Sequence, residues 1–247
     1  MYCNKRLKLC LCLALVMPLT LTGFTNTKVE TKKEIIETVV NYREFNIPQY
    51  RFTDDVIKDA YVIQYDTFKI TQPYKKSNKQ VLTYKQVAEE FQKLPKILTK
   101  NVNEIQLLDY NNIEDAYWAD ILNMKDFKSY AVGGYKQICF YANSQLSVEQ
   151  NNGLVVSTLL HESAHNFDEA MSSIDDRYSS STEWILIMDE DLNIKDSGYG
   201  LFCSKYAKDS SSSIEDFAEA VMQYVMDNEK FTEDYPNRSK KLNELLN

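Results

Sequence analysis

Apolar positions fall at helical spacing in several stretches of the chain and gather into short aromatic and β-branched runs in others. Thr83 can cap a helix that carries Val87, Phe91 and Leu94 along one side, and Pro95 then kinks or ends it. Glu104 to Tyr110 reads as a strand, and Ile113 to Met124 as a short helix with Trp118 buried. Gly133-Gly134 leads into a second strand, Tyr135 to Tyr141, rich in aromatic and β-branched residues. After the punctuation of Asn151-Asn152-Gly153, Leu154 to Ala170 forms a long helix with Leu154, Val155, Thr158 and Leu159 inward. A poorly patterned stretch follows. Asp209 to Ser213 is then a run of capping residues ahead of a helix from Ile214 to Met226, with Ser213 and Asp216 resembling a capping box.

The beginning of the chain has a different character. Lys5, Arg6 and Lys8 precede the apolar run Leu9 to Met17, and Thr20 to Thr25 is small and polar. That order of segments predicts a secretory signal peptide over 1–25, hence a secreted protein with no stable membrane span once it is removed. The competing reading is an uncleaved N-terminal anchor. Residues 26–45 are polar, and Ile35, Ile36, Val39 and Val40 predict a leader or peripheral helix ahead of one domain over 46–247.

Loss of the signal segment, with three basic residues and no acidic one, takes the formal charge from −8 to −11. Such an acidic protein is poorly suited to hold nucleic acid or anionic membrane by charge. Only Cys139 and Cys203 remain, which form one disulfide or stay as two buried thiols. Asp189, Asp191 and Asn193 mimic the start of a calcium loop, but Ile194 and Gly200 stand where its glycine and closing glutamate belong. Met188 to Ser197 therefore reads as an acidic solvated turn.

The chemistry concentrates on the long helix. The protein has two histidines, His161 and His165, four residues apart, with Glu162 between them. On a helix both imidazoles project from one face and can reach one metal ion. Glu162, about 100° around from His161, stands beside that ion where a carboxylate can take a proton from water. H-E-x-x-H is the signature of zinc peptidases for these reasons. A catalytic zinc takes three protein ligands and leaves a fourth position open. With no third histidine, the remaining ligand is a carboxylate or a cysteine. Glu215 is the best candidate, and Glu219, one turn later, is placed to hydrogen-bond a ligand imidazole from behind. Acidic residues at a helix N-terminus also favour the dipole without binding anything. Asp168 faces the metal side one turn beyond His165 and reads as a supporting group, and Cys203 ranks below Glu215 as a ligand.

His161-Glu162-Ser163-Ala164-His165-Asn166-Phe167-Asp168 together with Glu215-Asp216-Phe217-Ala218-Glu219-Ala220 resembles the catalytic domain of anthrax lethal factor and the related clostridial Pro-Pro endopeptidases. The segment from Gly133 to Ala142 also looks like that family's active-site edge strand, placed at 135–141. The resemblance covers about residues 133–226. It implies an α+β zincin-like fold, with a small mixed sheet above an active-site helix and a second ligand-bearing helix below. It implies Glu215 as the third zinc ligand and a catalytic tyrosine upstream of it. The family places that tyrosine where this chain has Lys208; Tyr206 lies two residues further upstream, and Tyr199 is the other candidate. The family's Phe-Phe pair is also changed, to Asp216-Phe217. The expected activity is that of a secreted endopeptidase with one zinc ion and a protein or peptide substrate. The alternative is a secreted zinc-binding interaction module without catalysis.

Overall fold

The computed structural model describes residues 36–41, 59–73, 82–109, 111–112, 115–121, 127–142, 152–172, 176–195 and 197–247. The predicted signal peptide and the side chain of Trp118 lie outside them. Strands β1 (Ile36–Asn41), β2 (Asp59–Gln64), β3 (Lys69–Pro73), β4 (Glu104–Leu107), β5 (Ala131–Gly134) and β6 (Gln137–Phe140) form one mixed sheet in the order β1-β2-β3-β4-β6-β5. β3, β4 and β6 run parallel, and the outer pairs are antiparallel. The helices are α1 (Tyr84–Phe91), the single turn α2 (Lys96–Thr99), α3 (Asp115–Ile121), α4 (Asn152–Met171), α5 (Thr182–Ile194), α6 (Lys205–Ser210), α7 (Ser213–Met226), α8 (Asn228–Asp234) and α9 (Pro236–Leu246). The fold is thus α+β with a small mixed sheet, and among the described residues no helix is long and apolar enough to cross a membrane.

Alternation along the strands decides what each sheet face meets. Ile105 and Leu107 of β4, with Ile138 and Phe140 of β6, are fully buried in the main core beside Val155 and Leu159 of α4. Glu104, Gln106 and Cys139 point to the other face, where Leu108, Cys139 and Tyr141 form a small separate cluster. On the far side of α4, Phe217 of α7 is wholly buried, its ring 4.9 Å from Trp184 and 6.5 Å from Phe167. Burying a side chain of this size contributes about 1.5–3 kcal/mol, and it fixes α7 against α4.

Four sequence expectations change. Ile36–Asn41 is a strand, antiparallel to β2, and the sheet therefore begins ahead of the expected boundary at residue 46. The β-branched residues of Ile36-Glu37-Thr38-Val39-Val40 favour that outcome once a partner strand is available. Gly133-Gly134 closes a strand of its own: β5 turns through Tyr135 and Lys136, both with positive φ, into β6. β5 is consequently the edge, and the expected edge strand at 135–141 is internal. The cap of α7 is Ser212, whose hydroxyl accepts from the Glu215 amide, one residue ahead of the expected Ser213. Lastly, Met188 to Ile194 is the end of α5 rather than a solvated turn, and Asp191 within it is buried.

Candidate metal centre

α4 presents both histidines where it faces α7 and the edge of the sheet. Their Nε2 atoms are 3.2 Å apart, with the rings nearly perpendicular. α7 brings Glu215 to the same point: its Oε2 lies 3.1 Å from His161 Nε2 and 3.5 Å from His165 Nε2. His161, His165 and Glu215 form a group whose donor atoms all lie within 4.8 Å of one another, which could hold a metal ion. Glu215 reaches this point because it occupies the first turn of α7, with its backbone N–H already satisfied by Ser212.

Glu219, one turn along α7, lies with Oε1 3.0 Å from His161 Nδ1. That contact favours the tautomer with the proton on Nδ1 and the lone pair on Nε2. The Nδ1 of His165 is buried and has no such partner among the described residues. Asp168 does not supply one. Its carboxylate accepts from the Ser179 amide at 3.0 Å and the Ser179 hydroxyl at 2.5 Å, so it fixes the 3₁₀ turn Tyr178–Ser180 instead of supporting an imidazole. Both of its oxygens are thereby satisfied in a fully buried position, at 0% exposure.

The charges respond to this crowding. Burial pulls the His161 pKa down, but hydrogen bonds to Glu215 and Glu219 and the nearby carboxylate of Glu162 outweigh it, and the pKa rises well above the ordinary histidine value. Burial pushes Glu215 up, while the two imidazoles more than reverse that and hold it ionised. For Glu162 burial wins: its pKa is raised despite the histidines and a backbone hydrogen bond from Gly133. Two carboxylates beside the same imidazoles are thus tuned in opposite directions.

Tyr206, on α6, brings its ring centroid to 5.9 Å from that of His161. Tyr199 is exposed in the preceding loop and makes no ring contact with either histidine. Lys208, at the position where the resemblance puts a tyrosine, is also exposed. Cys139 and Cys203 are both free and buried, which decides the disulfide question. The Cys203 thiol faces the backbone carbonyl of Asp216 at 3.4 Å and is not part of the metal group.

Other residues of the site carry no recognisable sequence signal. A Cβ on Gly133 would sit 2.3 Å from the backbone carbonyl oxygen of Glu162, so only glycine lets β5 lie this close to α4. Glu169 holds the β5–β6 turn: it accepts from the Tyr135 amide at 2.6 Å and pairs with Arg177. This offsets part of the cost of two non-glycine residues in the left-handed region, roughly 1–2 kcal/mol each. Asn166 donates to the Gln137 carbonyl at 2.9 Å and to the Glu162 carbonyl at 3.0 Å, joining the helix to the next strand. Comparison with protein-family models and with curated proteins gives no match.

Proposed function

We propose that the protein is a secreted zinc endopeptidase with a zincin-like fold, related to the lethal factor catalytic domain. The observation that carries this reading is the triangle of donor atoms with edges of 3.1, 3.2 and 3.5 Å. Ligand atoms about 2.0–2.2 Å from a tetrahedral zinc lie roughly 3.3–3.6 Å apart, close to these edges. Two imidazole nitrogens and a carboxylate also form the donor set of catalytic rather than structural zinc, leaving one position open. When bound there, zinc supplies a Lewis acid that acidifies water and polarises a carbonyl.

The chain's own groups do the rest. Glu162 accepts the proton of the attacking water and delivers it to the leaving amine, and its raised pKa brings it closer to neutral working pH. Glu219 keeps His161 in the ligating tautomer. Tyr206, beside His161, donates a hydrogen bond to the developing oxyanion, a kind of contribution typically worth about 3–4 kcal/mol. The outer edge of β5 offers backbone groups to which an extended substrate can add as a further strand.

The test combines zinc analysis, cleavage of a peptide library and the variant Glu162→Ala. The reading requires about one zinc per chain in both proteins and cleavage by the wild type alone. Zinc in both with cleavage in neither, against broad libraries, would instead favour a zinc-binding interaction module. Absence of zinc from both would remove the reading altogether.

A further inference from the structure

α6 carries Tyr206 but has only six residues, too short to fix its own position. Its placement comes from its ends. At the N-terminal end Ser204 caps it, accepting from the Ala207 amide at 3.1 Å, and Lys208 donates to the Gly198 carbonyl at 3.3 Å. The segment just before the cap is the most extensively bonded anchor. The backbone of residues 201–203 is held by four long-range hydrogen bonds among the described residues. The Cys203 amide donates to Asp216 Oδ1 at 2.7 Å, and the Cys203 carbonyl accepts from the Tyr235 hydroxyl at 3.1 Å and Gln223 at 3.4 Å. The Leu201 carbonyl accepts from Arg238 Nη2 at 2.6 Å.

Two of the four lead to one buried guanidinium. Arg238, 1% exposed on α9, grips Asp216 through Nε and Nη2, both at 3.1 Å, and Asp191 through Nη1 at 3.0 Å. Asp216 directly follows Glu215 on α7. The same planar fork therefore sets the register between the helix that brings the third metal-binding residue and the segment that launches Tyr206.

We infer that Arg238 is a positioning residue of the active site, fixing where Tyr206 stands against His161 through Asp216 and the backbone of residues 201–203. This rests on the peptidase reading for its kinetic consequence, but its structural consequence is independent of it. A lysine preserves the charge but cannot make the forked contacts to Asp216 while also reaching Asp191 and the Leu201 carbonyl.

The experiment is Arg238→Lys, alone and combined with Tyr206→Phe, in the full chain. The single variant should keep its zinc and its KM and lose about 10- to 100-fold in kcat, the scale of a misplaced catalytic group. In the Tyr206→Phe background the same change should cost almost nothing. The chain has two histidines, so their imidazole Hε1 signals can be followed by NMR in metal-free and zinc-loaded protein alike. Arg238→Lys should move the His161 signal toward its position in Tyr206→Leu, as the neighbouring ring withdraws. An equal kcat loss in both backgrounds, or an unmoved His161 signal in a folded variant, overturns the inference and leaves Arg238 a stabilising residue only. If Arg238→Lys does not fold, Asp216→Asn takes its place with the same readouts, since it keeps the shape and loses the charged fork. A wild type that cleaves nothing defeats the peptidase reading, and the NMR comparison still decides the position of Tyr206.

Discussion

Glu215 and Asp216 are neighbours in sequence, yet they serve two different buried polar clusters. Asp216 joins Asp191 around Arg238, where every carboxylate oxygen has a donor: Asp191 also accepts from the Asn237 and Arg238 amides, at 2.8 and 3.1 Å. That cluster is complete as it stands. Glu215 joins His161 and His165, where two imidazole nitrogens and a carboxylate converge on one point. Buried polar groups cost free energy unless satisfied, so a cluster that closes on itself is read as architecture and one that converges on a shared point as a place for a ligand.

The contrast can be broken by removing one member from each. His161→Ala should abolish stoichiometric metal binding, seen as loss of any thermal shift on adding zinc, while the metal-free protein keeps its fold. A retained zinc shift would mean that the converging atoms are not the binding site. Arg238→Met should act the other way, leaving zinc affinity per folded molecule in place but lowering stability by about 3–5 kcal/mol, because two buried carboxylates lose their cation. Urea unfolding measures this, and a loss below 1 kcal/mol would show that the cluster is not the closed unit described. Glu219→Gln sharpens the comparison at smaller scale. Weakening the acceptor behind His161 should reduce zinc affinity about 10- to 100-fold by chelator competition, with folding unaffected.

The smallest expected effect is a pH trend. In the metal-free protein His161 has its pKa raised above 6.5, so its stabilising contribution is full below that value and fades as pH rises through the folded pKa. Glu215 is depressed from 4.5, so its contribution is full above that value and fades only in acid. Metal requires neutral imidazoles, so the loaded protein gains as pH rises. The melting-temperature gap between loaded and stripped protein should therefore widen from about pH 5 to pH 8. A constant gap would show that no imidazole proton is displaced by the metal.

The two histidines of the metal group are legible in the sequence because their geometry is local: residues four apart on one helix share a face whatever surrounds them. Glu215 lies 54 residues on from His161, and its place beside them was implied by the resemblance. Glu215 and Glu219 likewise share a face of their own helix, but their contacts with His161 span 54 and 58 residues. What escaped depends on partners distant in the chain. Ile35-Ile36 and Val39-Val40 fit a helical stripe as well as a strand, and only pairing with β2 decides for the strand. α5 was hidden because Trp184, Ile185, Leu186, Ile187 and Met188 are contiguous, whereas the buried positions are Trp184, Met188 and Asp191. That is a helical spacing whose third member is an aspartate, recognisable only once Arg238 is seen beside it. The true edge strand was missed because its turn is made by Tyr135 and Lys136, residues that adopt positive φ here under the hold of Glu169.

The span between the three residues of the proposed site has a consequence for how it would take up a metal ion. His161 and His165 can meet an ion from a fleeting turn of helix, but Glu215 stands 54 residues beyond His161. Bringing those ends together costs loop-closure entropy that an unfolded chain does not recover from one added ligand. The unfolded chain is thus a poor competitor for the ion, and nearly all of the binding free energy goes into favouring the native state. Capture of Glu215 by such an ion would, in kinetic terms, be a late event that reports the docking of two helices, and retention of the ion would be a clock for how rarely they part.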